Sequence, residues 1–144
     1  MIGFNFERFL DAQKDFYHDA LIEVRLGRKK THWMWFVFPN ITGMGLSEKS
    51  VLYSIKSLDE ARLYLGHVIL GERLIEISNL LLDLNCNDAT SVFGTPDDLK
   101  LQSCMTLFDF VSQSELNPFL KVLNKFFQGK RCQRTLEIIR SIPA

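Results

Sequence analysis

The chain has only three cysteines in 144 residues, Cys86, Cys104 and Cys132, widely spaced and without a C-x-x-C pair. An odd, scattered set excludes a complete disulfide framework and lacks the spacing of a zinc site. The three histidines, His18, His32 and His67, are equally far apart, so no H-x-x-x-H metal pair exists. None of the eight glycines builds a phosphate-cradling loop, and no G-x-S-x-G nucleophile turn occurs. The longest unbroken apolar run, Trp33 to Phe38, falls far short of the roughly 20 residues that span a membrane. The first twenty residues carry Glu7, Arg8, Asp11, Lys14, Asp15 and Asp19, where a secretory leader has an apolar stretch. An excess of one charge is also missing: 17 basic and 17 acidic side chains leave a formal net charge of zero. Nucleic-acid-binding domains are usually strongly basic, so sequence-specific nucleic-acid binding is not expected. These absences point to a soluble, cytoplasmic protein with no membrane partner, no metal and no cofactor, its residues 1–144 forming one domain.

What the chain does have is core material. Hydrophobic residues make up 47% and aromatic residues 12%, with twelve Phe, enough to build a bulky interior and to exclude disorder. The spacing is helical nearly throughout. Phe6, Phe9, Phe16, Ala20 and Val24 repeat at helical intervals after a capping Asn5 and before a terminating Gly27. Ser57 and Glu60 form a capping-box pattern opening a helix that ends near Gly66. Leu70, Leu74, Ile77, Leu81 and Leu84 make the next apolar stripe. Asp88 caps a single turn that stops at Gly94. Thr95-Pro96-Asp97-Asp98 predicts a capped start with proline at the first helical position, and Asn117-Pro118 repeats that signature. A last helix is expected over 133–141. Only Trp33 to Phe38 looks strand-like, and a single strand makes no sheet. The expectation is an all-α array of six or seven helices with one irregular aromatic segment.

Charge is unevenly placed. From Asn117 to the end, six basic residues face the single acid Glu137, giving +5, and the first 116 residues carry −5. Basic residues gather where helices are expected to end, which favours solvated, dipole-complementing side chains over a nucleic-acid surface.

Two segments carry side chains with usable chemistry. In His32-Trp33-Met34-Trp35, both tryptophans of the chain stand beside a histidine and Lys30. Indole faces stack on planar rings and a neighbouring lysine holds phosphate, although an apolar plug explains the same run. The second group is Asp97, Asp98, Lys100 and Ser103; in a helix Asp97 and Lys100 pair, and Lys100 and Ser103 share a face. A capped helix start, with Asp98 reaching back to the amide of Thr95, accounts for it equally. His67 suits proton transfer at neutral pH, or else caps the helix before it. Cys104 lies on an apolar stripe with no partner to activate it.

The segments Lys30-Thr31-His32-Trp33-Met34-Trp35-Phe36-Val37-Phe38-Pro39, Tyr64-Leu65-Gly66-His67 and Phe93-Gly94-Thr95-Pro96-Asp97-Asp98-Leu99-Lys100-Leu101, with Ser103 to Phe108 after them, occur in the order of a known pattern. Together they resemble the bacterial domain-of-unknown-function family 1810, whose members often carry the label calpastatin. The resemblance covers nearly the whole chain and implies an all-helical single domain. Asn40 departs from it, where the family tends to have Gln, as do Val68 in place of Pro and Cys104 in place of Ser.

The polar members of that pattern suggest one shared site. The reading is a small-ligand site for a nucleotide-derived or phosphorylated metabolite. Trp33 and Trp35 form its stacking wall, Lys30, Lys100 and Ser103 bind the ligand, and His32, His67 or Asp98 supply proton transfer. A non-catalytic protein-interaction module is the alternative.

Overall fold

Apolar residues at helical spacing, interrupted by caps and glycines, produce nine α-helices within residues 4–142, the part of the chain that the computed structural model describes. In chain order they are α1 (Glu7–Arg25), α2 (Met34–Val37), α3 (Glu48–Leu52), α4 (Leu58–Gly66), α5 (Leu70–Leu82), α6 (Ala89–Phe93), α7 (Asp97–Val111), α8 (Pro118–Phe127) and α9 (Gln133–Ser141). The protein is all-helical, with nine helices among the described residues where the sequence pattern suggested six or seven. The additional ones are the short α2 and α3. Among the described residues no helix is long and apolar enough to cross a membrane.

The caps are local chemistry made visible. Ser57 Oγ accepts from the Glu60 amide at 3.1 Å, Asp88 from Thr90 at 3.0 Å, and Asn117 from Leu120 at 2.8 Å. The box at Ser57 closes differently from expectation. Glu60 accepts from the Lys56 amide at 2.7 Å and pairs with Arg8 at 3.2 Å, linking α4 to α1. Asn5 does not cap α1: Phe6 occupies that position with no side-chain bond, and the Arg8 guanidinium takes the Asn5 carbonyl instead. At α7, Pro96 sits at the cap position itself, so the helix begins at Asp97. The Thr95 hydroxyl donates to Asp98 at 3.3 Å in place of the expected amide contact. Gly27 ends α1 with φ +76°, and Gln128 and Gly129 end α8 in the same left-handed region.

The Trp33–Phe38 run is a helical turn, not a strand. Val37 and Phe38 donate to the carbonyls of Trp33 and Met34 at 3.1 and 3.0 Å. Five of its six side chains are buried and only Trp35 is partly exposed, so the run lacks the alternation that a half-buried strand requires. Extended pairing begins only after Pro39, where Ile55 donates to Asn40 and Thr42 to Ile55, each at 2.8 Å, in an isolated parallel bridge.

α7 is the centre. Its buried residues, including Leu101, Cys104, Met105, Leu107 and Phe108, run around the whole circumference, and α4, α6, α8 and α9 pack on it. α5 lies between α1 and α8 with Leu70, Leu74, Ile77 and Leu81 enclosed, each side chain contributing roughly 1.5–3 kcal/mol of burial. The turn from α4 into α5 requires glycine. A Cβ on Gly71 would stand 1.9 Å from the carbonyl oxygen of Leu65, which is backbone and cannot swing away. Gly71→Ala is therefore expected to destabilise the protein by about 1–3 kcal/mol through overpacking, read as a lowered urea midpoint with an unchanged slope.

Candidate functional site

α1 ends at Gly27, and the chain must then turn back across the core. One carboxylate organises that turn. Glu23, only 8% exposed, accepts from the amides of Lys30 and Thr31 at 2.6 and 2.9 Å, from the Thr31 hydroxyl at 2.6 Å and from the Trp33 indole at 3.0 Å. Burial pushes its pKa up, but the hydrogen bonds from Thr31, Lys30 and Trp33 outweigh that and hold it below the ordinary 4.5. A second tether follows: Lys29 donates its amide to the Val92 carbonyl at 2.7 Å and pairs with Asp97 at 2.9 Å. The segment before α2 is thus fastened both to α1 and to the start of α7.

These fastenings leave a cavity of about 350 Å³ between α2, the loop after it, α3 and the first turns of α7. Trp35, Phe38, Met44 and Leu99 are among its apolar walls, and Asn40, Ser50, Tyr53, Lys100 and Ser103 are its polar ones. Lys100 Nζ lies 5.1 Å from the centroid of the Trp35 ring, and Lys49 Nζ, from α3, lies 4.8 Å from the same centroid. Lys100 also pairs with Asp97 at 3.6 Å. The Asn40 amide nitrogen donates to the carbonyls of Phe38 and Lys100, both at 3.2 Å, binding the loop after α2 to α7. α9 supports the loop from behind, with the Thr135 hydroxyl 3.5 Å from the Met44 sulfur. Gly45 permits the approach of α3, since a Cβ there would meet Ser50 at 2.7 Å.

Three of the residues singled out from sequence, Trp35, Lys100 and Ser103, line this one cavity. The Ser103 hydroxyl is already engaged, donating to Leu99 at 3.0 Å within its own helix, with the Cys132 sulfur 3.3 Å away. Trp33 is fully enclosed, its ring 6.1 Å from Phe38 and its nitrogen held by Glu23. Lys30 and His32 are exposed and lie outside the cavity lining. Asp98 is buried behind it, accepting from Thr90 at 2.6 Å, from Thr95 and from the Leu99 amide at 2.8 Å. His67 lies elsewhere: its Nδ1 accepts from the amides of Ile69 and Leu70 at 3.1 and 3.2 Å. Its ring therefore serves the start of the helix that follows, α5, while its backbone amide, donating to the Tyr64 carbonyl at 3.1 Å, closes α4. Cys104 is fully buried, and that burial pushes its thiol well above the ordinary range.

Asn40, Lys49 and Tyr53 were not among the residues chosen from sequence. A signal for the last two existed. Ser47 accepts from the Ser50 amide at 3.1 Å, and a serine three residues ahead of a donor marks a helix start. On the helix so begun, Lys49 and Tyr53 lie four positions apart and share a face.

The basic C-terminal residues are partly engaged at the surface. Arg131 pairs with Asp109 at 2.9 Å, and Lys125 donates to the Leu84 carbonyl at 2.6 Å. Lys130 and Arg140 border an open groove beside Phe110. Among the described residues no cluster of three His, Cys, Asp or Glu is placed to hold a metal ion.

The match to a family model, described as protein of unknown function (DUF1810), extends over residues 3–139. The chain belongs to that family. A crystal structure of the conserved hypothetical protein Rv1873 from Mycobacterium tuberculosis is similar, at 41% sequence identity and a TM-score of 0.93. The match covers 96% of this chain and 99% of that one. No curated protein matches the chain.

The Glu23 cluster generates two expectations. Glu23→Ala should cost about 2–4 kcal/mol, because it strands the buried Trp33 indole N–H and the partly buried amides of Lys30 and Thr31 and loosens the entry to α2. Because the folded-state pKa is lowered, the carboxylate's stabilisation is fully present above 4.5 and is lost as pH falls through the folded value. Denaturant titrations between neutral pH and pH ~3 should therefore show a smaller acid loss in Glu23→Gln than in the native protein.

Proposed function

We propose that this member of the family binds a small planar anion, a nucleotide-derived or phosphorylated metabolite, in the cavity between α2, α3 and α7. The observation that carries the reading is the convergence of two ammonium groups, Lys49 and Lys100, on the half-buried indole of Trp35 at a largely apolar cavity. Two like charges within about 10 Å of each other, whose one ion-pair partner among the described residues is an Asp97 shared with Lys29, favour an anion between them. The exposed part of the indole offers a flat surface for a ring. At about 350 Å³ the cavity falls within the ~300–1,000 Å³ of small-molecule sites.

The wall chemistry favours holding a ligand over transforming it. Lys100 is the one charged side chain in the lining; the other polar members are amide and hydroxyl groups. Asp98 and His67, the residues assigned proton transfer from the sequence, use their acceptor atoms on neighbouring donors. His32 lies outside the lining. The role proposed here is recognition.

A thermal-shift screen against nucleotides, NAD, ADP-ribose and sugar phosphates tests this. Ligand at 100 times its Kd adds about 2.7 kcal/mol, a rise of several degrees in Tm. Lys100→Met keeps the length of the stem and removes the charge. It should change the unliganded Tm by little, since a half-exposed ion pair is worth ~1 kcal/mol at most, and it should abolish the ligand-induced rise. No shift with any compound, or an equal shift in Lys100→Met, contradicts the proposal.

A further inference from the structure

We infer that the ligand is a nucleoside monophosphate whose base presents an N–H group to Asn40; this rests on the reading of the cavity as a ligand site and deepens it. The orientation of an asparagine amide is fixed only by its partners. At Asn40 both partners, the Phe38 and Lys100 carbonyls, are acceptors, so the group facing them is the NH2. Both of its hydrogens are thereby used. Its Oδ1 makes no hydrogen bond to protein among the described residues and remains an acceptor in the cavity wall. Tyr53, which donates its backbone amide to Lys49 and packs its ring 5.3 Å from Phe36, likewise keeps a hydroxyl without a protein partner among the described residues. The wall thus presents one locked acceptor and one hydroxyl donor. An acceptor and a donor in one wall are the chemical complement of a base edge with an exocyclic amine beside a ring nitrogen, as in adenine.

The other features limit the rest of the molecule. Trp35 takes the face of the base, and the two lysines over it take one phosphate group. A cavity near the lower end of the range for ligand sites accommodates one base and its sugar phosphate, not a dinucleotide. Lys49 acts from outside the lining, on the exposed short helix α3, so it contributes charge more than shape.

Isothermal titration with AMP, adenosine and purine riboside monophosphate, which lacks only the exocyclic amine of AMP, separates the parts of this inference. AMP should bind at least about tenfold more tightly than either analogue. Removing the amine leaves the Asn40 acceptor unpaired, and removing the phosphate leaves the lysines unpaired. Tyr53→Phe should weaken AMP severalfold with an unchanged Tm, and Lys49→Met should reduce the preference for AMP over adenosine. Equal affinity for AMP and purine riboside monophosphate overturns the role of Asn40, and equal affinity for AMP and adenosine overturns the two-lysine clamp. If AMP fails to bind while a sugar phosphate or dinucleotide binds in a Lys100-dependent manner, the inference falls and the ligand-site reading stands. If no compound binds, both fall.

Discussion

A single buried carboxylate sets the geometry on which the cavity depends. Glu23 sits in the last turn of α1 and receives four hydrogen bonds from the segment of residues 30–33. Removing an ionised carboxylate from water is costly, and charge-assisted bonds at these distances offset that cost only when they come together. The arrangement is therefore all-or-none: the carboxylate is satisfied only with the chain folded back over the end of α1. Lys29 extends the constraint to α7 through Asp97 and to α6 through the Val92 carbonyl. With both ends of the turn fastened, the aromatic run is delivered to one place in the core.

The form that the run then takes decides what its tryptophans do. In an extended strand Trp33 and Trp35 would share a face, and the pairing of both as one stacking wall presumes that geometry. In a helical turn, two positions are separated by about 200°. Trp33 points back to Glu23 and is sealed, whereas Trp35 points away, toward Lys49 and Lys100. One indole becomes core and the other becomes cavity wall. Pro39 ends the turn, and Asn40 immediately ties the chain to α7, so the wall opposite Trp35 is fixed as well.

Local signals in the sequence were legible where the physics is local. Ser57, Asp88 and Asn117 cap as their types suggest, Gly27 and Gly129 end helices in the left-handed region, and the Leu70–Leu81 stripe is buried as its spacing implies. The failures are cases where a different partner, usually within four residues, takes the group in place of the expected one. Arg8 takes the Asn5 carbonyl, Glu60 turns to Lys56 and Arg8, and His67 serves the amides ahead of it. α2 was misread because a short apolar run carries no period when nearly every side chain is enclosed. The facing of Trp35 and Lys100 followed from two segments that were each notable on their own. Asn40 gave no such notice, because its value lies in which of its atoms remains free once the fold has used the other.

Fluorine NMR of fluorotryptophan-labelled protein tests the central claim most directly, since the two indoles of the chain report separately on core and cavity. The resonances are assigned by Trp35→Phe, and AMP is titrated into the labelled protein. The account predicts a saturable shift of the Trp35 signal with the Trp33 signal unmoved, because Trp33 is fully enclosed and held by Glu23. A shift confined to Trp33, or equal shifts of both indoles, would contradict the separation of core and site on which the account is built.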